Sequence, residues 1–289
     1  MTLTPPLPSF VVKIRSISGL FDATQIKHGL QAMDYEVHLQ SSAGGALFYI
    51  QGLSTRTLQL KYTPKGFDLL LPPFASTDDW EMLRDWLLVF NSFYTAIIIS
   101  ENDLMDDVEV FFSADKITNE QKIYEDRLHQ HMRVDETLHF YSIYREFYAG
   151  NKIFERVREQ PVEEQLQFFY SLVRKSQYTN LHATSSGVEK INSHLSTTTS
   201  VINNKEAIVL QPADMIQVQV NNEDHFYISY PSIDKLIRHG WFYLDEKQIY
   251  IPSMGPADWE DFCKLAREMS INTELFSKYV EGEENEDTE

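Results

Sequence analysis

The side chains best placed to do chemistry crowd into the middle of the chain: His129, His131, Asp135, Glu136 and His139. On one continuous helix His131, Asp135 and His139 would share a face at i, i+4 and i+8, which makes them candidate metal ligands. Asp126-x-x-His129 and Glu136-x-x-His139 also imitate the carboxylate-x-x-His pattern of dinuclear sites in helical bundles. Those sites take two such motifs from separate helices and a further Glu from each of two more. Here both motifs sit in one segment, and a solvated helix rich in His, Asp and Glu accounts for them more simply. A metal-dependent enzyme using His129, His131, Asp135 and His139 is therefore the alternative, and no cofactor is expected.

Other nucleophiles fare worse. Cys263 is the only cysteine. It has no base at helical spacing that would lower its pKa, so an inert thiol is expected. The chain has no Gly-x-Ser-x-Gly elbow, no phosphate-cradling glycine loop and no His-Glu-x-x-His, so hydrolase, kinase and zinc-enzyme classes have no motif behind them.

The elements that must position these residues follow a pattern that occurs twice. A run of strands, a proline and an acidic turn lead into a helix that begins Asp-Trp-Glu: Phe48 through Pro72 and Pro73 to Asp79 and Trp80, then Phe226 through Pro252 to Asp258 and Trp259. Proline ends the strand because it cannot donate to the ladder. Ser76 is the expected N-cap of the first helix, with Asp79 completing a capping box, and Gly255 and Pro256 hold the same places in the second. Leu83, Trp86, Leu87 and Phe90 continue one apolar face, as do Phe262, Leu265, Ala266 and Met269. Trp80 and Trp259 are accordingly expected as core anchors.

Around this pattern, alternation predicts strands at Phe10–Ile14, Tyr35–Gln51, Leu58–Leu71, Ile97–Ser100 and Val108–Phe112. Helical spacing predicts a short helix over Asp22–Met33 and helices from Lys116 to about Gln177, with Leu138–Tyr148 among them. Residues 181–200 read as an exposed Ser/Thr-rich loop. The second copy carries an added helix, Ser232 to His239, before the aromatic strand Trp241-Phe242-Tyr243. What differs between the copies is where a specific surface could have been added, so Trp241, Tyr243, Asp234 and Lys235 are the candidate partner-binding residues.

Charge narrows the partner. The formal net charge of −18 includes six carboxylates in residues 281–289, an expected disordered tail, but the rest of the chain is acidic too. Without clustered Lys and Arg there is nothing to release counterions from nucleic acid or to hold an anionic membrane. A basic protein partner fits the charge. With one cysteine, no basic and apolar leader at the N-terminus and no apolar run of spanning length, a cytoplasmic protein is expected.

The layout resembles a bacterial family of uncharacterised proteins of similar length. The resemblance rests on Pro73 to Trp80 with Leu83 and Trp86, and on Phe226 to Ile228 with Ile251, Pro252 and Asp258 to Phe262. That family carries no activity to transfer onto any residue, so the resemblance implies architecture alone. The expected fold is α+β, with two related antiparallel sheet-plus-helix halves, 1–113 and 201–280, joined by a helical middle, 114–180. The expected function is a non-enzymatic interaction module, immunity-like or antitoxin-like in one version, binding a basic partner.

Overall fold

The computed structural model describes residues 7–42, 44–100, 103–179, 184–185, 189–190, 198–221 and 223–271. The chain divides into two compact units, Met1–Thr179 and Asn180–Glu289.

In the first unit, strand β1 (Phe10–Arg15) buries Val12 and Ile14 completely while Lys13 points to solvent. Helix α1 (Ala23–Gln31) follows, started by the Asp22 side chain, which accepts from the Thr24 N–H. Two hairpins come next: β2 (Val37–Ser42) with β3 (Gly45–Ile50), and β4 (Leu58–Thr63) with β5 (Gly66–Leu71). Gly66 is required at the second turn: its φ is +140°, and a Cβ there would stand 2.1 Å from the Ile14 carbonyl oxygen. Helix α2 (Thr77–Phe93) then crosses the sheet, and β6 (Ile97–Ser100) and β7 (Asp103–Leu104) complete it. The seven strands run in the order β2-β3-β4-β5-β1-β6-β7, antiparallel at every pairing.

Helix α2 holds this sheet. Trp80, Leu83, Trp86, Leu87 and Phe90 are fully buried on one face, and Trp86 meets Phe48 and Phe67 edge-on at 5.9 and 5.8 Å. The chain continues through α3 (Val108–Phe111), α4 (Ala114–Val134), the hairpin β8 (Leu138–Tyr141) with β9 (Glu146–Ala149), α5 (Asn151–Arg158) and α6 (Gln165–Tyr178). Buried side chains from Val12 to Val173 form one apolar cluster, so these later elements build the same core as the sheet.

Two expectations fail here for local reasons. Val108–Phe111, expected within a strand over Val108–Phe112, is helical, because Asp107 caps it: its carboxylate accepts the Val110 N–H at 3.0 Å. Leu138–Tyr148 is a hairpin and not a helix. Helix α4 ends at Val134, and Asp135 takes the left-handed conformation at φ 50° with its N–H bonded to the His131 carbonyl. Beyond that stop, Leu138, Phe140, Phe147 and Ala149 turn inward and their neighbours turn out.

The second unit contains β10 (Thr184–Ser185), β11 (Glu189–Lys190), β12 (Thr198–Ile202), β13 (Ile208–Leu210), β14 (Met215–Gln219), β15 (His225–Ser229), β16 (Phe242–Tyr243), β17 (Ile249–Ile251) and α7 (Pro256–Arg267). They make two four-stranded sheets, β10-β13-β17-β16 and β11-β12-β14-β15. Both are mixed, since β10 with β13 and β12 with β14 are parallel. The added helix is a 3-10 turn, Tyr230–Leu236. Helix α7 buries Trp259, Phe262, Cys263 and Ala266 in a core with Ile228, Trp241, Ile249 and Ile251.

The fold is α+β, but internal duplication is not confirmed. In the first unit β3 pairs with β4, so both hairpins share one sheet. In the second the corresponding strands, β15 and β16, belong to different sheets. Most of residues 181–200, and all of the tail 281–289, lie outside the described residues. Among the described residues no helix is long and apolar enough to cross a membrane.

Candidate functional site

The polar residues of the middle segment do not converge. His129, on α4, shares a hydrogen bond with Gln165 of α6, Nε2 to Oε1 at 2.8 Å. His131 is nearly buried, and its Nδ1 lies 3.1 Å from the Glu136 carbonyl oxygen. Asp135 accepts from the Arg158 guanidinium at 2.9 Å. His139 has left the helix for β8, where its ring stacks on Tyr148 at 4.2 Å. The i+8 position presupposed a helix that stops before Asp135. Among the described residues no group of three or more His, Cys, Asp or Glu could hold a metal ion. Cys263 is buried, and burial raises its thiol, with Arg267 pulling the other way.

The partner-binding candidates of the second unit divide. Trp241 is only 7% exposed and packs on Phe262 at 5.5 Å, so it is a core residue and not a surface anchor. Tyr243 is half-buried, and its hydroxyl donates to Asp234; burial, then that carboxylate, raise the hydroxyl pKa. Asp234 and Lys235 are exposed.

Asp79 and Asp258 also part company. Asp79 is fully buried. Its Oδ2 accepts from the Thr55 N–H (3.1 Å) and hydroxyl (2.7 Å), the Arg56 N–H (3.1 Å), and the Ser76 N–H (2.9 Å) and hydroxyl (3.1 Å). This one carboxylate pins the loop between β3 and β4, where Ser54, Thr55, Arg56 and Thr57 are all buried, to the start of α2. Burial raises the Asp79 carboxyl above its ordinary value against the pull of those hydrogen bonds. Arg56 is buried beside it, its guanidinium 4.4 Å above the Phe140 ring. The group ties the loop to the start of α2 and so serves the fold.

A surface that residue-by-residue motif reading passes over lies at the other end of the sheet. From Glu101 to Asp115 the sequence holds six acids and no Lys or Arg. In the structure Asp106, Asp107, Glu109 and Asp115 are exposed there, beside two large apolar side chains that stand out of the surface, Leu104 at 66% and Val110 at 72% exposure. Strand β7 is the outermost strand of its sheet. The nearest downstream cation, Lys116, is engaged with Glu120 at 3.2 Å and lies over the Phe10 and Phe111 rings. The run of acids was visible in the sequence; the exposure of Leu104 and Val110 needed the edge position of β7 and the turn into α3. Chemically this edge can attract cations and cover apolar groups, and it presents no nucleophile.

No curated protein and no solved structure matches the chain. One family model does match, over residues 9–262, which takes in the sheet of the first unit, the helical segment and the second unit through the Trp259 turn of α7; the chain belongs to that family, a domain of unknown function (DUF4299).

Proposed function

We propose that this protein works by binding a basic protein partner in the cytoplasm and not by catalysing a reaction; an immunity-like or antitoxin-like role is one form of this. The observation that supports it is the edge formed by β7, α3 and the start of α4, where Asp106, Asp107, Glu109 and Asp115 are exposed in the same stretch of chain as exposed Leu104 and Val110. Carboxylates steer a cationic partner and fix its orientation, and the apolar pair supplies burial once it has docked. Asp234 and Lys235, with Tyr243, offer a second polar surface on the other unit.

The test is binding of a fluorescein-labelled peptide that alternates lysine and arginine with leucine, followed by anisotropy on the full chain. Wild type should bind it, more weakly as salt rises. Asp106→Lys with Glu109→Lys should weaken binding by about tenfold or more, and Val110→Ser should weaken it without altering the salt dependence. Asp107 is left intact because it caps α3. A charge-reversed variant that binds as wild type does would refute the proposal.

A further inference from the structure

The hairpin β8–β9 places alternate residues on two faces. Leu138, Phe140, Phe147 and Ala149 pack on the core, and their strand neighbours His139, Tyr141, Glu146 and Tyr148 form the outward face. The register pairs His139 with Tyr148 and Tyr141 with Glu146, so the four side chains make one compact square. Tyr141 is 71% exposed. The His139 ring is stacked on that of Tyr148, with an interplanar angle of 5° and centroids 4.2 Å apart. Tyr148 donates its hydroxyl to the Glu146 carboxylate, and His139 Nε2 is 3.6 Å from the same group. The hydrogen bond from Tyr148 is the largest cause holding the Glu146 carboxyl below its ordinary value, so the carboxylate stays ionised.

A carboxylate fixed by the Tyr148 and Tyr141 hydroxyls and bordered by the exposed Tyr141 ring is the complement of a planar cation. We propose that this face receives an arginine side chain of the partner, its guanidinium stacked on Tyr141 and paired with Glu146. This rests on the reading that the partner is basic. Arginine suits the site better than lysine because its flat fork can stack and pair at once, whereas an ammonium is a point charge. The placement adds a constraint on the partner. The acidic edge stands just before α4 and the hairpin just after it, with the 21 residues of that helix between them in the chain. A partner that touches both gains from linked contacts without any single strong one.

The direct probe is N-acetyl-arginine amide, titrated into isotope-labelled full-length protein, with the uncharged citrulline analogue as its control. The arginine compound should shift the His139 and Tyr141 signals and citrulline should not. In the anisotropy assay an arginine-containing basic peptide should bind Tyr141→Ala about fivefold more weakly and Glu146→Gln about tenfold more weakly. Tyr141→Phe, which keeps the ring face, should bind close to wild type. Because Tyr141 is so exposed, its two variants remain informative even if Glu146→Gln disturbs the hairpin. Equal shifts with citrulline, or wild-type affinity in Tyr141→Ala, would overturn the site. If the peptide binds and responds to Asp106 and Glu109 reversal but not to Tyr141→Ala, the hairpin site falls and the basic-partner reading stands. If the small arginine compound shifts the hairpin signals while the basic peptide fails to bind, the reverse holds.

Discussion

Helices α2 and α7 open with the same Asp-Trp-Glu, yet the aspartate of the first is fully enclosed and that of the second lies in solvent. Both aspartates occupy the third helical position after a residue in extended conformation, Ser76 in one case and Gly255 in the other. The local geometry is therefore alike, and the difference comes from what the rest of the chain brings to it. Before α2, the loop from Ser54 to Thr57 folds over the helix start and gives Asp79 three backbone N–H donors, counting that of Ser76. Before α7 that place in the order is taken by the 3-10 turn Tyr230–Leu236, and Arg238 reaches only the Asp258 backbone carbonyl, at 2.9 Å. A motif that sets where a helix starts does not set what its side chains carry.

The most severe way to break the comparison is to remove each aspartate. Asp79→Ala strands buried donors of Thr55, Arg56 and Ser76 and leaves the buried Arg56 guanidinium without its nearest counter-charge, a loss of about 4 kcal/mol. Asp258→Ala should stay within about 0.5 kcal/mol. Urea unfolding of the two variants beside wild type measures both; comparable losses would mean that the burial difference carries no energy.

The tryptophans should differ less. Trp80 is fully buried, with the Phe10 ring 4.9 Å away and Phe112 at 6.3 Å, whereas among the described residues Trp259 has one ring neighbour, Phe262, at 5.4 Å. Truncation to Ala should cost about 4 kcal/mol at Trp80 and about 3 kcal/mol at Trp259. Thermal unfolding of each variant gives the order, and a larger loss at Trp259 would reverse it.

Acidity offers a finer probe of Asp79. An unfolded aspartate takes up its proton near pH 4, at about 3.9, while burial lets the folded protein hold that proton at higher pH. Between the two values the folded state binds more protons than the unfolded one. This contribution to stability therefore falls as pH rises through the window, and it is fully present only below the unfolded value. Asp79→Asn should lose that slope and Asp258→Asn should keep it. If wild type instead gains stability relative to Asp79→Asn over the same range, the five hydrogen bonds on the carboxylate outweigh its desolvation.

What could be read from the sequence was whatever a few neighbouring residues decide. The Ser76–Asp79 capping box and the hairpins around Gly66 and Gly45 have their causes within a handful of positions. Val108 to Phe111 alternates like a strand, and one competing local cause, the Asp107 cap, makes it a helix. Local pattern puts His139 on a helix because nothing in its own neighbourhood announces the left-handed stop at Asp135. Sheet order in the second unit, where parallel pairs join strands distant in sequence, depends on contacts that no local pattern encodes. The same limit hid the candidate surface: the charges between Glu101 and Asp115 are legible, but that Leu104 and Val110 remain uncovered is a property of the finished sheet.

The smallest expected effect is also the most direct test of whether local sequence can be repaired independently of tertiary context. Helix α7 has no side-chain cap at Gly255, although Asp258 already sits where the reciprocal carboxylate of a capping box belongs. Gly255 has φ −64°, so a side chain is not strained there, and an added Cβ would meet only the Asp258 Oδ2, at 3.8 Å. Gly255→Ser should therefore restore the box and stabilise the second unit by a few tenths of a kcal/mol, up to about 0.5. In that background Asp258→Ala should cost more than it does in wild type, because the added serine hydroxyl can donate to the Asp258 carboxylate, as the Ser76 hydroxyl does to Asp79. A double-mutant cycle on Gly255→Ser and Asp258→Ala isolates that coupling. If the two changes simply add, the capping box of α2 owes its strength to the buried loop around Thr55 and not to the tripeptide that the two helices share.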